Sequence, residues 1–305
     1  MVQKMMSSKG RVGILGATGI IGECLLPLLV EEGWDVVAFS RQERYVQQSG
    51  NGPVEWQLLE KSKLTEISGI YQEGKQIPFW ISVAPIFILP EYFPMFLACG
   101  VKHIVVVSST SRFTKNASSD PAEKKLAEDL AVSEERLILW AKKEKLIFTI
   151  LRPTLVYGLG RDKNISLIAS FIRRFSFFCV FGDAHGLRQP VHAQDMAKAC
   201  VAALSAREAA NKCYNISGGE TITYREMVCR IFSALGRKPR LVKFPLGLFR
   251  LAVFILRAFP RFRHWSAAMA ERMNQDLVFD HTEAGRELNF FPRNFHLGKE
   301  DLPGN

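Results

Sequence analysis

Gly16, Gly19 and Gly22 follow directly on an apolar run in the stretch "VGILGATGIIG". Glycines so spaced at the end of a strand have distinct tasks. The first lets the chain turn tightly, the second lets backbone approach a pyrophosphate, and the third allows close packing of helix on strand. The N–H groups and positive dipole at the start of the next helix favour phosphate. The stretch is expected to bind a dinucleotide, against the plainer alternative of a strand–turn–helix. A second strand ends in "VVAFSRQER", where a site selective for NAD offers a carboxylate to the ribose 2′-hydroxyl. This chain offers Ser40 and Arg41 instead, with Arg44 nearby. A guanidinium suits a 2′-phosphate, so NADP is favoured and NAD is the alternative. The plainer reading of Arg41 is a solvated loop residue.

Such a turn needs a sheet to hold it. The runs "RVGIL", "DVVAF", "PFWISV", "HIVVVSS" and "LIFTIL" alternate with helical patterns such as Cys24 to Glu32 and Glu123 to Lys145. That alternation predicts βαβ units in a doubly wound, parallel α/β sheet of the Rossmann type. The nucleotide-binding domain is expected over 10–157. A smaller, mainly substrate-binding portion is expected over 158–305, with some segments returning to the sheet.

The chain has 305 residues, 48% hydrophobic and 23% charged, which suits a globular fold and excludes disorder. Six cysteines without CxxC spacing fit a reducing cytoplasm, and six scattered histidines give no reason to expect a metal site. The start "MVQKMMSSKGRVGI" contains no apolar run of signal-peptide length. The net charge of +10 is uneven: between Glu226 and Glu271 lie nine basic residues and no acidic one. Within that stretch, "KFPLGLFRLAVFILRAFPRFR" over 243–263 is both basic and apolar, and "FIRRFSFF" over 171–178 has the same character. The first is too short and too charged at its centre to span a bilayer. It suits the interface of an anionic membrane, or a helix whose arginines snorkel to water. Nucleic acid is not expected, since no recognition module accompanies the charge.

The glycine turn, "VVVSSTS", "TILRPTLVYG", "RQPVHAQDMAKACVAAL" and "YNISGGETITYREMV" occur in an order that resembles one family over residues 10 to 235. It is the extended short-chain dehydrogenase/reductases, of the NAD-dependent epimerase/dehydratase type. The resemblance implies that Gly16, Thr18, Gly19, Ile20 and Ile21 cradle the cofactor, with Gly22 behind them. It places Val83 and Ala84 on the adenosine side, Ser108 at the cofactor and Pro153 by the nicotinamide carboxamide. Ser109 becomes the residue that orients the substrate, and Arg188 the arginine that grips a substrate diphosphate. A bidentate guanidinium fits the last role.

The chain also departs from that pattern. Family members carry a tyrosine and a lysine four residues apart on one helix face, where they move a proton. No tyrosine lies between Tyr92 and Tyr157 here, and the family's spacing from Arg152 falls on Leu126 and Leu130. The usual aspartate after the third strand is absent from "VEWQLLEKSKL" as well. Ser109 or Tyr157 is left to serve catalysis, with Lys124 and Lys125 expected on a helix surface. Asp195 is expected to cap a helix and His192 to pack in a strand.

Two functions follow from these features. One is a cytoplasmic NADP-dependent oxidoreductase or epimerase acting on a phosphorylated substrate, either a nucleotide sugar or a lipid-linked sugar. The other is a cofactor-holding sensor or accessory subunit on the inner face of a membrane. Neither specifies an oligomeric state.

Overall fold

The computed structural model describes residues 9–46, 52–59, 76–116, 118–245, 247 and 268–304. Chain order begins β1 (Arg11–Leu15), α1 (Ile20–Glu31), β2 (Asp35–Ser40), α2 (Glu43–Val46), β3 (Val54–Leu58) and β4 (Phe79–Ser82). It continues through α3 (Phe93–Ala98), β5 (His103–Val107), α4 (Ser111–Thr114), α5 (Pro121–Lys143) and β6 (Ile147–Pro153). Seven strands form one parallel sheet in the order β11-β6-β5-β4-β1-β2-β3, where β11 is Lys212–Ile216. This is the expected doubly wound Rossmann architecture.

The register follows burial. Strands β1, β2, β4 and β5 are buried nearly throughout, because helices cover both faces of a parallel sheet. One face packs Leu25 and Leu29 of α1 together with α7 (Ala193–Ser205). The other packs Trp80, Phe96, Leu130 and Leu137 beneath α5. The strand order reverses between β1 and β4, the crevice where doubly wound sheets bind ligands.

Beyond β6, the short β7 (Val156–Tyr157) leads to α6 (Ile165–Phe175), β8 (Phe178–Phe181), β9 (Leu187–Arg188) and β10 (Val191–His192). After α7 and β11 come β12 (Ile222–Thr223), α8 (Tyr224–Ala234), β13 (Leu241–Phe244), α9 (Ala268–Arg272) and α10 (Thr282–Leu288). Residues 193–216 thus rejoin the sheet, while α6, α8 and β8 enclose an apolar cluster of their own around Ile168, Ile172, Met227 and Phe232.

Buried polar pairs fasten the C-terminal tail. His192 Nε2 lies 3.0 Å from Asp301 Oδ1, and the Tyr157 hydroxyl donates to the His296 carbonyl at 3.1 Å. His192 Nδ1 accepts from the Gln194 amide at 3.1 Å, so Nε2 is the nitrogen left to donate to Asp301. Burial opposes the Asp301 charge, but bonds from His192, Gly298 and Leu159 outweigh it and hold the carboxyl below its usual value. A depressed carboxylate stabilises the fold above its unfolded pKa, and that contribution fades as pH falls through the folded value. Asp301→Asn is therefore expected to lose about 1–3 kcal/mol at neutral pH. Its urea-unfolding free energy should also fall less steeply than the wild type's below about pH 4.

Candidate functional site

The glycine turn lies at the crevice. Gly16 has φ +91°, and a Cβ there would meet the Ala84 amide nitrogen at 2.7 Å. Val83 and Ala84, at the end of β4, therefore sit directly against it. A Cβ on Gly22 would strike the Ala17 carbonyl oxygen at 2.5 Å, which explains the close approach of α1 to the turn. Gly19 is exposed, and a Cβ on it would touch only the Gly16 oxygen, at 3.4 Å. Gly19 is also the N-cap of α1 and gives no side-chain cap. The N–H groups of Ile20 and Ile21 thus begin a twelve-residue helix beside an open surface. An open cradle at an uncapped N-terminus fits a dinucleotide pyrophosphate, and Gly16, Thr18, Gly19, Ile20 and Ile21 are the residues that would hold it.

At the end of β2, Ser40 is buried and its Oγ accepts from the Gln42 amide at 3.0 Å. Arg41 beside it is exposed. Pro153 closes β6, where its carbonyl accepts from the Thr110 amide and hydroxyl, both at 3.0 Å. Ser108 and Ser109 are treated differently. Ser108 is buried and donates to Glu134 Oε1 at 2.6 Å. Ser109 is half-buried, with Oγ accepting from the Ser111 amide at 3.1 Å.

Glu134 is fully buried on α5. Its carboxylate also takes Arg152 Nε at 3.1 Å and Nη2 at 2.6 Å, together with Arg112 Nη1. Two arginines and a hydroxyl therefore converge on one carboxylate, and Phe113 lies 5.1 Å and 5.3 Å from the two guanidinium carbons. Leu126 and Leu130 fall eight and four residues before Glu134, on the same helix face. Both pack into the apolar cluster beneath α5. The positions of the usual tyrosine and lysine are thus occupied by core.

A cavity of about 260 Å³ opens at the carboxyl ends of β5 and β6. Ser109, Thr114 and Thr154 bring hydroxyls to its wall, and Lys115, Arg188 and Arg272 bring positive charge. Lys115 Nζ stands 3.6 Å from Glu123 Oε1, which also pairs with Arg272. Burial, then the nearby Arg272, push the Lys115 ammonium below its usual value, while Asp120 opposes them. Arg188 is buried, and burial lowers its pKa to about 10. Its Nη1 donates to the carbonyls of Leu187 and Gln275, both at 2.7 Å, and its Nη2 to that of Arg272. Three of its five N–H donors are thus engaged by backbone carbonyls.

The remaining candidates are structural or lie elsewhere. Tyr157 is fully buried, and burial pushes its phenol up to about 12. Lys124 and Lys125 are exposed on α5. His192 packs in β10 as expected, but it takes the capping role expected of Asp195. His192 is the N-cap of α7, in an extended conformation that aims Nδ1 at the Gln194 amide. Asp195 instead receives Arg293 at 2.9 Å, a charged donor that outcompetes a neutral amide. No group of three metal-ligating side chains occurs among the described residues. Most of 243–263 lies outside the described residues, apart from 243–245 and 247. No helix among the described residues is long and apolar enough to cross a membrane.

Residues 93–217 match the model of the NAD dependent epimerase/dehydratase family. A 2-alkyl-3-oxoalkanoate reductase of Stenotrophomonas maltophilia is 24% identical over 261 residues, 76% of this chain and 78% of that protein. In fold the chain is similar to UDP-glucose 4-epimerase of Thermotoga maritima, solved with UDP-glucose. The TM-score is 0.69 at 17% identity, with 95% of each chain covered. It is also similar to UDP-glucuronic acid 4-epimerase of Bacillus cereus in complex with NAD, with TM-score 0.68 at 15% identity, covering 93% and 92% of the two chains. These neighbours share the doubly wound α/β fold, and the glycine turn fits a dinucleotide. Over residues 93–217 the chain resembles the NAD-dependent epimerase/dehydratase family, with Leu126 and Leu130 where that resemblance places the tyrosine and the lysine.

The buried carboxylate provides a direct check on this geometry. Glu134→Ala leaves Arg112 and Arg152 without their counter-charge, and it is expected to cost about 3–5 kcal/mol in urea unfolding.

Proposed function

We propose that the chain is an NADP-dependent reductase or epimerase acting on a phosphorylated substrate, either a nucleotide sugar or a lipid-linked sugar. The cavity carries this reading. Three cations, Lys115, Arg188 and Arg272, share a wall with the hydroxyls of Ser109, Thr114 and Thr154. The cations suit a phosphoryl group, and the hydroxyls suit a sugar or a reacting carbonyl. A nicotinamide cofactor would exchange a hydride with the substrate. Ser109 would orient the reacting oxygen, while Arg188 and Arg272 would offset the substrate charge. The solved neighbours bound to UDP-glucose and to NAD support the same class.

Arg41 supports the choice of NADP: it is exposed at the end of β2 without a carboxylate in sequence beside it. NADPH is expected to raise the melting temperature at lower concentration than NADH, and Arg41→Asp to erase or invert that order. Equal responses in both proteins would remove the assignment. Turnover is to be sought with both cofactors over nucleotide sugars and lipid-linked sugars, with product analysis. Tight cofactor binding without turnover of any of them would favour the holding or sensing protein, the reading supported by Leu126 and Leu130 lying in the core.

We extend the proposal to contact with an anionic membrane. On α6, Leu167 and Phe175 are exposed with Arg174 between them in sequence, a small apolar and basic face in the described residues. Wild type should float with phosphatidylglycerol vesicles at low salt, and Arg250→Glu/Arg257→Glu should float less. Equal flotation of the two would leave 243–263 no part in it.

A further inference from the structure

Hydride exchange with a carbonyl or alcohol carries a proton with it, so the enzymatic reading above needs a group to move one. Tyr157 is buried against the His296 carbonyl and does not line the cavity. His192 serves Gln194 and Asp301, and Asp195 serves Arg293. A guanidinium keeps its protons, which removes Arg188 and Arg272. The hydroxyls can orient a substrate but are poor acids. Among the described residues, Lys115 is the one amine on the cavity wall.

Its setting is built rather than accidental. Lys115 follows α4 immediately, and its amide donates to the Ser111 carbonyl at 3.1 Å, so it is fixed to the loop that carries Ser109. Its side chain is only 20% exposed. Glu123, one helical turn before Leu126, accepts the Ser118 hydroxyl at 2.7 Å and also pairs with Arg272. The carboxylate is therefore divided among several donors and does not neutralise Lys115 alone. Glu123 and Asp120 on α5 and Arg272 on α9 are the charged groups facing the ammonium, and Arg188 shares the cavity.

We propose that Lys115 is the catalytic acid and base of this site, in place of the tyrosine missing from α5; the proposal rests on the enzymatic reading above. In the reductive direction, a reduced nicotinamide dinucleotide gives a hydride to the carbonyl carbon. The C=O π electrons move to oxygen, and an O–H bond forms with a proton from Lys115 Nζ. The carbonyl gains two electrons, the dinucleotide loses two, and the neutral amine regains its proton from water. In the oxidative direction the neutral amine removes the hydroxyl proton. A lysine in this role should have a lowered proton affinity, the direction in which burial and Arg272 push Lys115.

Trace labelling of the intact protein with acetic anhydride, read by mass spectrometry, tests the amine without any substrate. Lys115 is expected to reach half-maximal labelling at a lower pH than the exposed Lys124 and Lys125. Labelling at the same or a higher pH overturns the proposal. Lys115→Arg keeps the positive charge but cannot exchange the proton. With whichever carbonyl or sugar the wild type turns over, it should lose about 10²-fold or more in kcat while NADPH fluorescence titration is unchanged. Lys124→Arg should match the wild type. A Lys115→Arg rate within a few-fold of wild type assigns Lys115 to anion binding alone and overturns the proposal. A wild type that binds NADPH but turns over nothing overturns the enzymatic reading, and the proposal falls with it whatever the labelling shows.

Discussion

The site's geometry depends on the Glu134 carboxylate. Ser108 reaches it from the end of β5, Arg112 from α4, and Arg152 from β6, so one buried group ties the carboxyl edge of the sheet to α5. Several residues of the cavity edge lie one or a few positions from one of these anchors. Ser109 follows Ser108, Lys115 follows Arg112 by three, and Pro153 and Thr154 follow Arg152. A charge this deep is tolerated only when fully paired. That requirement turns it into a positional constraint, because any shift of α5 along the sheet would strand Glu134 among apolar neighbours.

The same helix explains what the sequence could and could not reveal. The strands and the glycine turn were legible, because each is a local pattern with a local cause. So was the absence of Tyr and Lys at 126 and 130, positions that the family resemblance fixes by their spacing from Arg152. The roles of Lys115, Arg272 and Glu134 were not legible. Arg272 and Lys115 meet across 157 positions of chain. Glu134 reads as surface charge until its partners from β5, α4 and β6 are brought to it. His192 was legible as a packed strand residue, yet it and not Asp195 caps α7. The decisive partner, Arg293, arrives from 98 residues downstream.

That downstream segment is a clasp. Arg293 holds Asp195, the His296 carbonyl receives Tyr157, and Asp301 receives His192 and the Leu159 amide. These contacts lie on the loop after β6 and on the first turn of α7, just beyond the cavity-lining Thr154 to Val156. Apolar packing alone would hold these loops near the sheet without fixing their register. Directional bonds to buried partners specify it, since each mismatch leaves a polar group without a partner.

The charge at this edge then links recognition to proton transfer. Arg112, Arg152, Lys115, Arg188 and Arg272 stand against the carboxylates of Glu134 and Glu123, a clear excess of positive charge in partly buried surroundings. Such an excess would suit an anionic ligand, while burial, then like-charge repulsion from Arg272, weakens the hold of Lys115 on its proton. A bound anion would act in the opposite sense and raise the proton affinity of Lys115. Substrate binding would therefore charge the lysine as it fills the cavity, and departure of the product would discharge it. The fixed cations would thus serve twice, selecting the anion and setting the protonation of the amine that works on it.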